Sequence, residues 1–294
     1  MGRTSGTLGG MLALFLMVTD APAFDVAGLA TPESFIVDPE TGEYYISNIN
    51  GPPTEKDNNG FISKLDPSGK VVALKFVEGG RGGATLHAPK GLDVIGDVLY
   101  ASDIDAVRGF DKKTGKPLHT IDLSGMSALF LNDLTHDEQG ILYVSDTTIF
   151  VNPRMAGAIF KIDTRNRHKA SVFVRSPELF GPNGLVVHSR TQRLLADTWD
   201  AGRIVEIEPD GRIHTVVEHG PWKNLDGLDY DLAGNLYVSS FTGGKIYKVA
   251  TDLTVSVLRS GLNAPADINV DRKGNRILVP SFNGNSATTI SIGP

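Results

Sequence analysis

Six similar segments of the chain share one variable position, and five of them carry a polar or charged side chain there. In each segment a Pro or a Leu precedes one variable residue, and a small or acidic residue usually follows. The variable residues are Glu33, Lys90, Asn132, Asn183, Asp226 and Ala266. Two carboxylates and two carboxamides make an all-oxygen set, which a hard divalent cation prefers; calcium takes several oxygens at about 2.3–2.6 Å. We therefore predict one divalent cation, held by Glu33, Asn132, Asn183 and Asp226.

Calcium is the favoured cation for this set. Magnesium and manganese are compatible with it, and zinc is the least favoured because neither His nor Cys stands at these positions. The alternative is that the polar residues only hydrate a channel. Two acids held close together without a cation would repel each other and shift each other's pKa, which favours the metal site.

The segments that carry these residues are copies of one structural unit. Each opening is followed by an alternating apolar strand, a polar turn and a second strand such as Leu142-Tyr143-Val144-Ser145, and most copies add two further strands. Four strands repeated every 40 to 57 residues are typical of propeller blades around a central channel. We predict an all-β fold, a six-bladed β-propeller. A solenoid is the alternative, but it would have shorter units and capping ends.

The ends of the chain predict how the ring closes. The sixth copy ends after three strands, near residues 290–292, and an unassigned apolar stretch, 24–29, precedes the first copy. This stretch can supply the missing fourth strand and so remove two exposed sheet edges. Because the first strand of every blade lines the channel, the six variable residues should meet near the axis on one face.

Four of the openings resemble one known family. Pro32-Glu33, Asn132-Asp133, Pro182-Asn183-Gly184 and Asp226-Gly227 are similar to the corresponding motifs of the regucalcin and gluconolactonase family, which consists of calcium-dependent six-bladed propellers. More distant similarity extends to diisopropyl fluorophosphatase and paraoxonase. The resemblance covers nearly all of the chain after residue 23. It implies that the matching Glu, two Asn and Asp bind a catalytic metal, and that Asp226 is the catalytic general base.

The implied reaction is hydrolysis of a lactone, in which the metal polarises the ester carbonyl and a carboxylate activates water or attacks directly. Sugar-lactone members often carry an Arg two residues before the Asn of the third blade, whereas this chain has Phe130 there. A less polar substrate is therefore expected, bound by Phe130 and by an apolar wall that includes Trp199 and Phe241. Lys90 either binds an anionic substrate group or extends out of the channel.

Two other functions remain open. A calcium-binding propeller without catalysis, acting as a scaffold or ligand carrier, would need the same ligands, since fold does not determine function. A phosphotriesterase would use the same ligands on a different electrophile. Long segments at 50–60 and 147–157 could act as lids over the channel. The sequence leaves the oligomeric state open.

The N-terminus predicts export. Arg3, an apolar run from Met11 to Val18 and the small residues Ala21-Pro22-Ala23 are typical of a secretory signal peptide over residues 1–23, which places the protein in the periplasm or outside the cell. Residues 24–294 would form a single propeller domain. No other apolar stretch suits a membrane anchor, and the net charge of −6 with scattered Lys and Arg argues against nucleic acid as a partner.

Overall fold

The computed structural model describes residues 23–218 and 220–293. Within these residues, twenty-four strands form six four-stranded antiparallel sheets, and the innermost strand of each sheet contacts that of the next around a closed ring. The predicted six-bladed β-propeller is confirmed. Three short 3-10 turns interrupt the loops of the described chain, and they cover Ser124–Met126, Thr148–Phe150 and Pro177–Leu179.

The strands are numbered in chain order, with the innermost strand of each blade first. Blade 1 contains β2 Pro32–Val37, β3 Tyr44–Asn48, β4 Phe61–Leu65 and β5 Val71–Glu78. Blade 2 contains β6 Pro89–Ile95, β7 Val98–Asp103, β8 Ala106–Asp111 and β9 Pro117–Asp122. Blade 3 contains β10 Leu131–His136, β11 Ile141–Asp146, β12 Ala158–Asp163 and β13 Lys169–Arg175.

The second half of the ring repeats this order. Blade 4 contains β14 Pro182–Val187, β15 Leu194–Thr198, β16 Ile204–Ile207 and β17 Ile213–Val217. Blade 5 contains β18 Leu225–Tyr230, β19 Leu236–Ser240, β20 Lys245–Val249 and β21 Val255–Ser260. Blade 6 contains β22 Asn269–Asp271, β23 Arg276–Ser281, β24 Ser286–Ser291 and, at its outer edge, β1 Asp25–Ala27.

The N-terminal strand closes the ring as the sequence predicts. Strand β1 pairs antiparallel with β24, with Val26 opposite Ala287. Val26 and Leu29 are buried in an apolar cluster with Phe35 of blade 1 and Leu278 of blade 6. The first and last blades are thereby joined by hydrogen bonds and by apolar packing, and β24 has no unpaired edge.

The apolar core of the described chain lies between the blades. Six clusters of buried side chains each combine residues from two neighbouring blades, as when Val107 of blade 2 packs with Leu131 and Phe160 of blade 3. A seventh, small cluster lies at the channel mouth. Because each blade buries its two faces against its two neighbours, the strands hold the axial residues in fixed positions.

Five innermost strands begin with the same irregularity. In each of blades 1 to 5 the first strand has one residue more than its partner just after the opening Pro or Leu; Pro32 pairs with Asn48, and Phe35 then pairs with Ile46. This is a β-bulge, which bends a strand and redirects a side chain. The variable residues lie in these bulges. Sequence periodicity alone does not reveal them.

Blade 6 differs from the expected pattern at its opening. Its first strand begins at Asn269, four residues after Pro265. Pro265 still pairs with Ser281 of β23, and the N–H of Ala266 donates to the carbonyl of Pro280 over 3.2 Å. The next residue pairs with blade 1: the N–H of Asp267 donates to the carbonyl of Glu33 over 2.9 Å, and Ser34 and Asp267 form a parallel bridge. The predicted opening at Pro265 therefore serves as a second link between the last blade and the first.

The predicted signal peptide, residues 1–23, falls on residues outside the described chain except for Ala23, so it stays a prediction. Within the described part of the chain, none of the helical segments is long and apolar enough to cross a lipid bilayer.

Closure of the ring generates a stability prediction. Leu29 is 5% exposed, so Leu29→Ala removes buried packing between blades 6 and 1 and should lower the free energy of unfolding by about 2–5 kcal/mol. Leu232→Ala is the matched control, because Leu232 is 59% exposed and its loss should stay within about 0.5 kcal/mol. Urea unfolding followed by fluorescence measures both. Equal losses in the two variants would contradict the closure.

Candidate metal centre

The four predicted ligands lie in the bulges of β2, β10, β14 and β18. All four are almost completely buried: Glu33 and Asp226 are each 5% exposed, Asn132 is 3% and Asn183 is 2% exposed. Ala266, the sixth variable residue, is fully buried and offers no polar atom. One side of the axis is therefore lined by oxygen-bearing side chains that the protein shields from bulk water.

Each of these four side chains carries one oxygen without a protein partner. The atoms are Glu33 Oε2, Asn132 Oδ1, Asn183 Oδ1 and Asp226 Oδ1. In the described residues, seven buried side-chain atoms lack a hydrogen bond, and four of these seven belong to the four predicted ligands. A buried polar atom without a partner costs free energy, and each such atom in a native structure calls for an ion, a water molecule or another explanation.

The carboxamides are oriented by their nitrogen atoms. Asn132 Nδ2 donates to Thr147 Oγ1 over 3.0 Å, and Thr147 Oγ1 donates in turn to the carbonyl of Pro182 over 2.7 Å. Asn183 Nδ2 faces the carbonyl of Leu225 at 3.4 Å. Since both nitrogens face acceptors, both amide oxygens remain available as ligands.

The carboxylates of this group are electrostatically coupled. Burial, followed by the charges of Asp226 and Asp267, raises the pKa of Glu33 well above its usual range, while Lys90 lowers it. Burial and then the charge of Asp267 raise the pKa of Asp226, against hydrogen bonding from Asn183. These acids are therefore close enough to repel one another, and a cation between them would favour their ionised forms.

The donor set fits an oxygen-preferring cation. No three His, Cys, Asp or Glu side chains are grouped so that they could hold a metal ion anywhere in residues 23–218 and 220–293. A site here therefore depends on the two amide oxygens besides the two carboxylates. Such a mixed set, without nitrogen or sulfur ligands, suits calcium, magnesium or manganese better than zinc.

Lys90 stays inside the channel. It is 2% exposed, and its Nζ donates to the carbonyl of Pro53 over 3.1 Å and to that of Ala88 over 3.2 Å. The same nitrogen lies 4.2 Å from the centroid of the Phe130 ring. The reading in which Lys90 extends into solvent is wrong, since the two carbonyls and the ring hold the ammonium. Burial lowers its pKa to about 8, with Glu33 acting in the opposite direction.

The channel mouth is lined by a run of five aromatic rings, which we call the aromatic arc. Neighbouring ring centroids are 5.0 to 5.4 Å apart. In contact order the members are Phe130, Phe150, Trp199, Phe241 and Phe282. Phe282 continues the apolar surface to Ile49, Ala88 and Ile104 of blades 1 and 2. The structure therefore brings the predicted wall residues together beside Lys90.

Two features of the arc were not predicted. Phe150, from the loop between β11 and β12, joins Phe130 to Trp199 and is 42% exposed. Phe130 is only 6% exposed, so it supports the arc more than it offers surface to a ligand. The length of the 147–157 loop was the sequence feature that could have indicated a role for Phe150 at the channel mouth. Strand periodicity does not extend into that loop.

The acids at the rim have a structural role. Asp103 Oδ1 accepts the N–H groups of His87 and Ala88, each over 2.9 Å, and Asp146 accepts that of Phe130 over 2.8 Å. These carboxylates fix the loops that enter the innermost strands. Both carboxylates already accept hydrogen bonds from the protein.

Structural comparison finds the same fold in proteins of low sequence identity. Virginiamycin B lyase from Staphylococcus aureus has 12% identity and a TM-score of 0.65, and the alignment covers 92% of this chain and 99% of that one. A candidate gluconolactonase has 15% identity and a TM-score of 0.66, with 94% of each chain covered. Regucalcin from Agrobacterium tumefaciens, described as a calcium-binding protein, has 15% identity and a TM-score of 0.65, with 89% of this chain and 90% of that one covered.

The family resemblance inferred from the blade openings is thus confirmed at the level of the fold. No protein-family model matches the sequence, and no curated protein is a significant match to it. The similar structures include a lyase as well as a candidate lactonase and a calcium-binding protein, so the fold alone does not identify a reaction.

The buried acids generate a pH prediction. Burial raises the pKa of Asp267 from its ordinary value of 3.8 to about 7, so the folded state holds this proton more tightly than the unfolded state does. The stability that this group contributes is therefore complete below about pH 4 and is lost as the pH rises towards 7. In excess chelator, the Tm of the wild type should fall by several degrees between pH 5 and 7.

Asp267→Asn should flatten this slope, because the amide does not titrate. Asp252→Asn, at an exposed carboxylate of blade 5, is the control and should keep the wild-type slope. Circular dichroism melts at a series of pH values measure the effect. The assignment fails if the Asp267→Asn protein shows the same pH dependence as the wild type.

Proposed function

We propose that the chain is an exported metal-dependent hydrolase that opens a lactone or a related ester. The observation that carries this proposal is the set of four buried oxygens without partners, contributed by four different blades and flanked by an apolar mouth. Glu33, Asn132, Asn183 and Asp226 would hold the cation, with calcium preferred. Export to the periplasm or beyond rests on the signal-peptide pattern of residues 1–23.

The side chains present suit ester hydrolysis. A bound cation would act as a Lewis acid on the ester carbonyl. Asp226 would hold the cation through Oδ1, which has no protein partner, and would accept a proton from the attacking water on its other carboxylate oxygen as general base. Lys90 keeps one N–H beyond the two that its carbonyl partners accept, and this N–H would bind a substrate oxygen.

The aromatic arc favours an apolar substrate. Phe150, Trp199 and Phe241 present ring surface at the mouth, and apolar lining with few polar groups is typical of small-molecule sites. Phe130 replaces the Arg that sugar-lactone members often carry. We therefore expect lactones with alkyl or aryl substituents to be better substrates than sugar lactones.

The comparisons support this proposal in outline. Similar structures include a candidate gluconolactonase and a regucalcin described as calcium-binding, and both share the fold over most of the chain. The resemblance of the motifs at Glu33, Asn132, Asn183 and Asp226 to those of that family implies the same role as metal ligands. The experiment must distinguish the lactonase from two other functions, a scaffold that binds calcium without catalysis and a phosphotriesterase.

The experiment combines metal analysis with a substrate panel. Purified protein lacking residues 1–23 should contain about one equivalent of divalent metal, and it should hydrolyse alkyl or aryl lactones faster than a sugar lactone, with loss of activity in chelator. Asp226→Asn should lower kcat/KM by about 10²–10⁴-fold because the general base is lost. Asp252→Asn, in the same blade, should retain full activity.

The outcomes are distinct. Bound metal without turnover on the lactones, an aryl ester or a phosphotriester would support the scaffold. Turnover restricted to the phosphotriester would move the assignment to that class. Undiminished lactonase activity in Asp226→Asn would show that Asp226 is not the base, and activity that survives complete metal removal would overturn the metal-dependent reaction.

A further inference from the structure

One position near the end of the second strand carries the same residue in most blades. It directly precedes the residue that pairs with the first residue of the innermost strand. Its occupants in blades 1 to 5 are Ser47, Ser102, Ser145, Asp197 and Ser239. In blade 6, where Pro265 pairs with Ser281, the corresponding residue is Pro280. Four blades therefore carry serine at this position, and blade 4 carries aspartate. Blade 4 also supplies Asn183, and the following blade supplies Asp226.

The serines show what this position requires. Three of the four hydroxyls accept an N–H from the bulge of the same blade: Ser47 Oγ from Ser34 over 2.8 Å, Ser145 Oγ from Asp133 over 2.9 Å and Ser239 Oγ from Gly227 over 2.8 Å. Ser145 Oγ also donates to the carbonyl of Asn183 in the next blade over 2.6 Å. A hydroxyl thus satisfies one donor within its blade and can satisfy one acceptor in the neighbouring blade.

Asp197 keeps the first of these contacts and lacks the second. Its Oδ1 accepts the N–H of Gly184 over 3.0 Å, as a serine would. Its Oδ2 is buried and has no hydrogen-bond partner among the described residues, and an ionised carboxylate has no proton to donate to blade 5. For the strands alone, serine would be the better residue.

The free oxygen lies against the metal-centre backbone. A Cβ at Gly184 would be 2.8 Å from Asp197 Oδ2 and equally far from the Cα of Gly227, so the carboxylate occupies space that Gly184 leaves open, near the residue after Asp226. Burial, and then the charge of Asp226, raises the pKa of Asp197 well above its usual range. The charge of Asp226 therefore acts on the Asp197 carboxylate.

A buried carboxylate without a partner is much more costly than a buried hydroxyl, unless a cation is nearby. We propose that Asp197 is a positioning residue of the metal centre, whose Oδ2 adds a further negative charge behind Asn183 and Asp226 and so strengthens binding of a divalent cation. This inference rests on the metal centre of the proposed function. It assigns to Asp197 a role that the other blades' serines do not have.

The substitution that tests it is the residue that the other blades use. Asp197→Ser keeps an acceptor for the Gly184 N–H and removes the extra charge. Calcium binding should weaken by about 10–100-fold, the range typical of groups that support metal ligands. In chelator, the Tm should be equal to that of the wild type or higher, because an unpaired buried carboxylate is removed.

Isothermal titration of metal-free protein with calcium chloride measures Kd, and melts in chelator measure the fold. Asp252→Asn removes one exposed negative charge and is the control for net charge; its Kd should match the wild type. If Asp197→Ser does not fold, Asp197→Asn, which keeps the shape, decides the question by the same titration. Neither measurement depends on turnover.

A variant whose Kd lies within about twofold of the wild type would overturn the role of Asp197 while leaving the metal centre in place. A lower Tm in chelator together with unchanged Kd would likewise make Asp197 a purely structural residue. Wild-type protein that binds no divalent cation would overturn both the inference and the metal centre, so the two failures are distinguishable.

Discussion

The centre of this molecule depends on one constraint, which is that side-chain oxygen atoms are buried at the axis without hydrogen-bond partners. Folding removes Glu33, Asn132, Asn183 and Asp226 from water and leaves one oxygen of each unsatisfied. Four such atoms would each cost free energy in a dry interior. A cation bound by all four oxygens would offset this cost, and it would also reduce the repulsion between the two carboxylates.

The rest of the fold serves to hold these atoms in place. The bulge at the start of each innermost strand redirects the variable side chain, and packing between neighbouring blades prevents it from relaxing away. Ring closure completes the arrangement. Strand β1 joins blade 6 to blade 1 at the periphery, while the N–H of Asp267 donates to the carbonyl of Glu33 near the axis. One of the proposed ligands is therefore part of the closure itself.

Sequence predicts the parts of this structure that repeat. The spacing of the blade openings predicts six blades, and the position after Pro or Leu identifies the axial residues, because equivalent positions in a closed ring must converge. The N-terminal closing strand follows from the incomplete sixth copy. Features that break the repeat are less accessible: the pairing of Asp267 with blade 1, the carbonyl partners of Lys90, and the entry of Phe150 into the aromatic arc all depend on contacts distant in sequence.

Asp197 is an intermediate case. The sequence alone gives Asp197 no distinct role, and its difference from the serines becomes meaningful once the strand register shows that the positions are equivalent. A departure from a repeat is informative when the repeated residue has a known structural task. Here a serine hydroxyl meets the hydrogen-bonding needs of the strands. The carboxylate in blade 4 must therefore be explained by something other than strand pairing.

The most direct test of the metal centre is a crystal structure of the calcium-bound protein with anomalous data collected at long wavelength. We predict one anomalous peak on the channel axis, at about 2.3–2.6 Å from Glu33 Oε2, Asn132 Oδ1, Asn183 Oδ1 and Asp226 Oδ1. A peak elsewhere, or no peak at saturating calcium with the four oxygens hydrogen-bonded only to water, would contradict it.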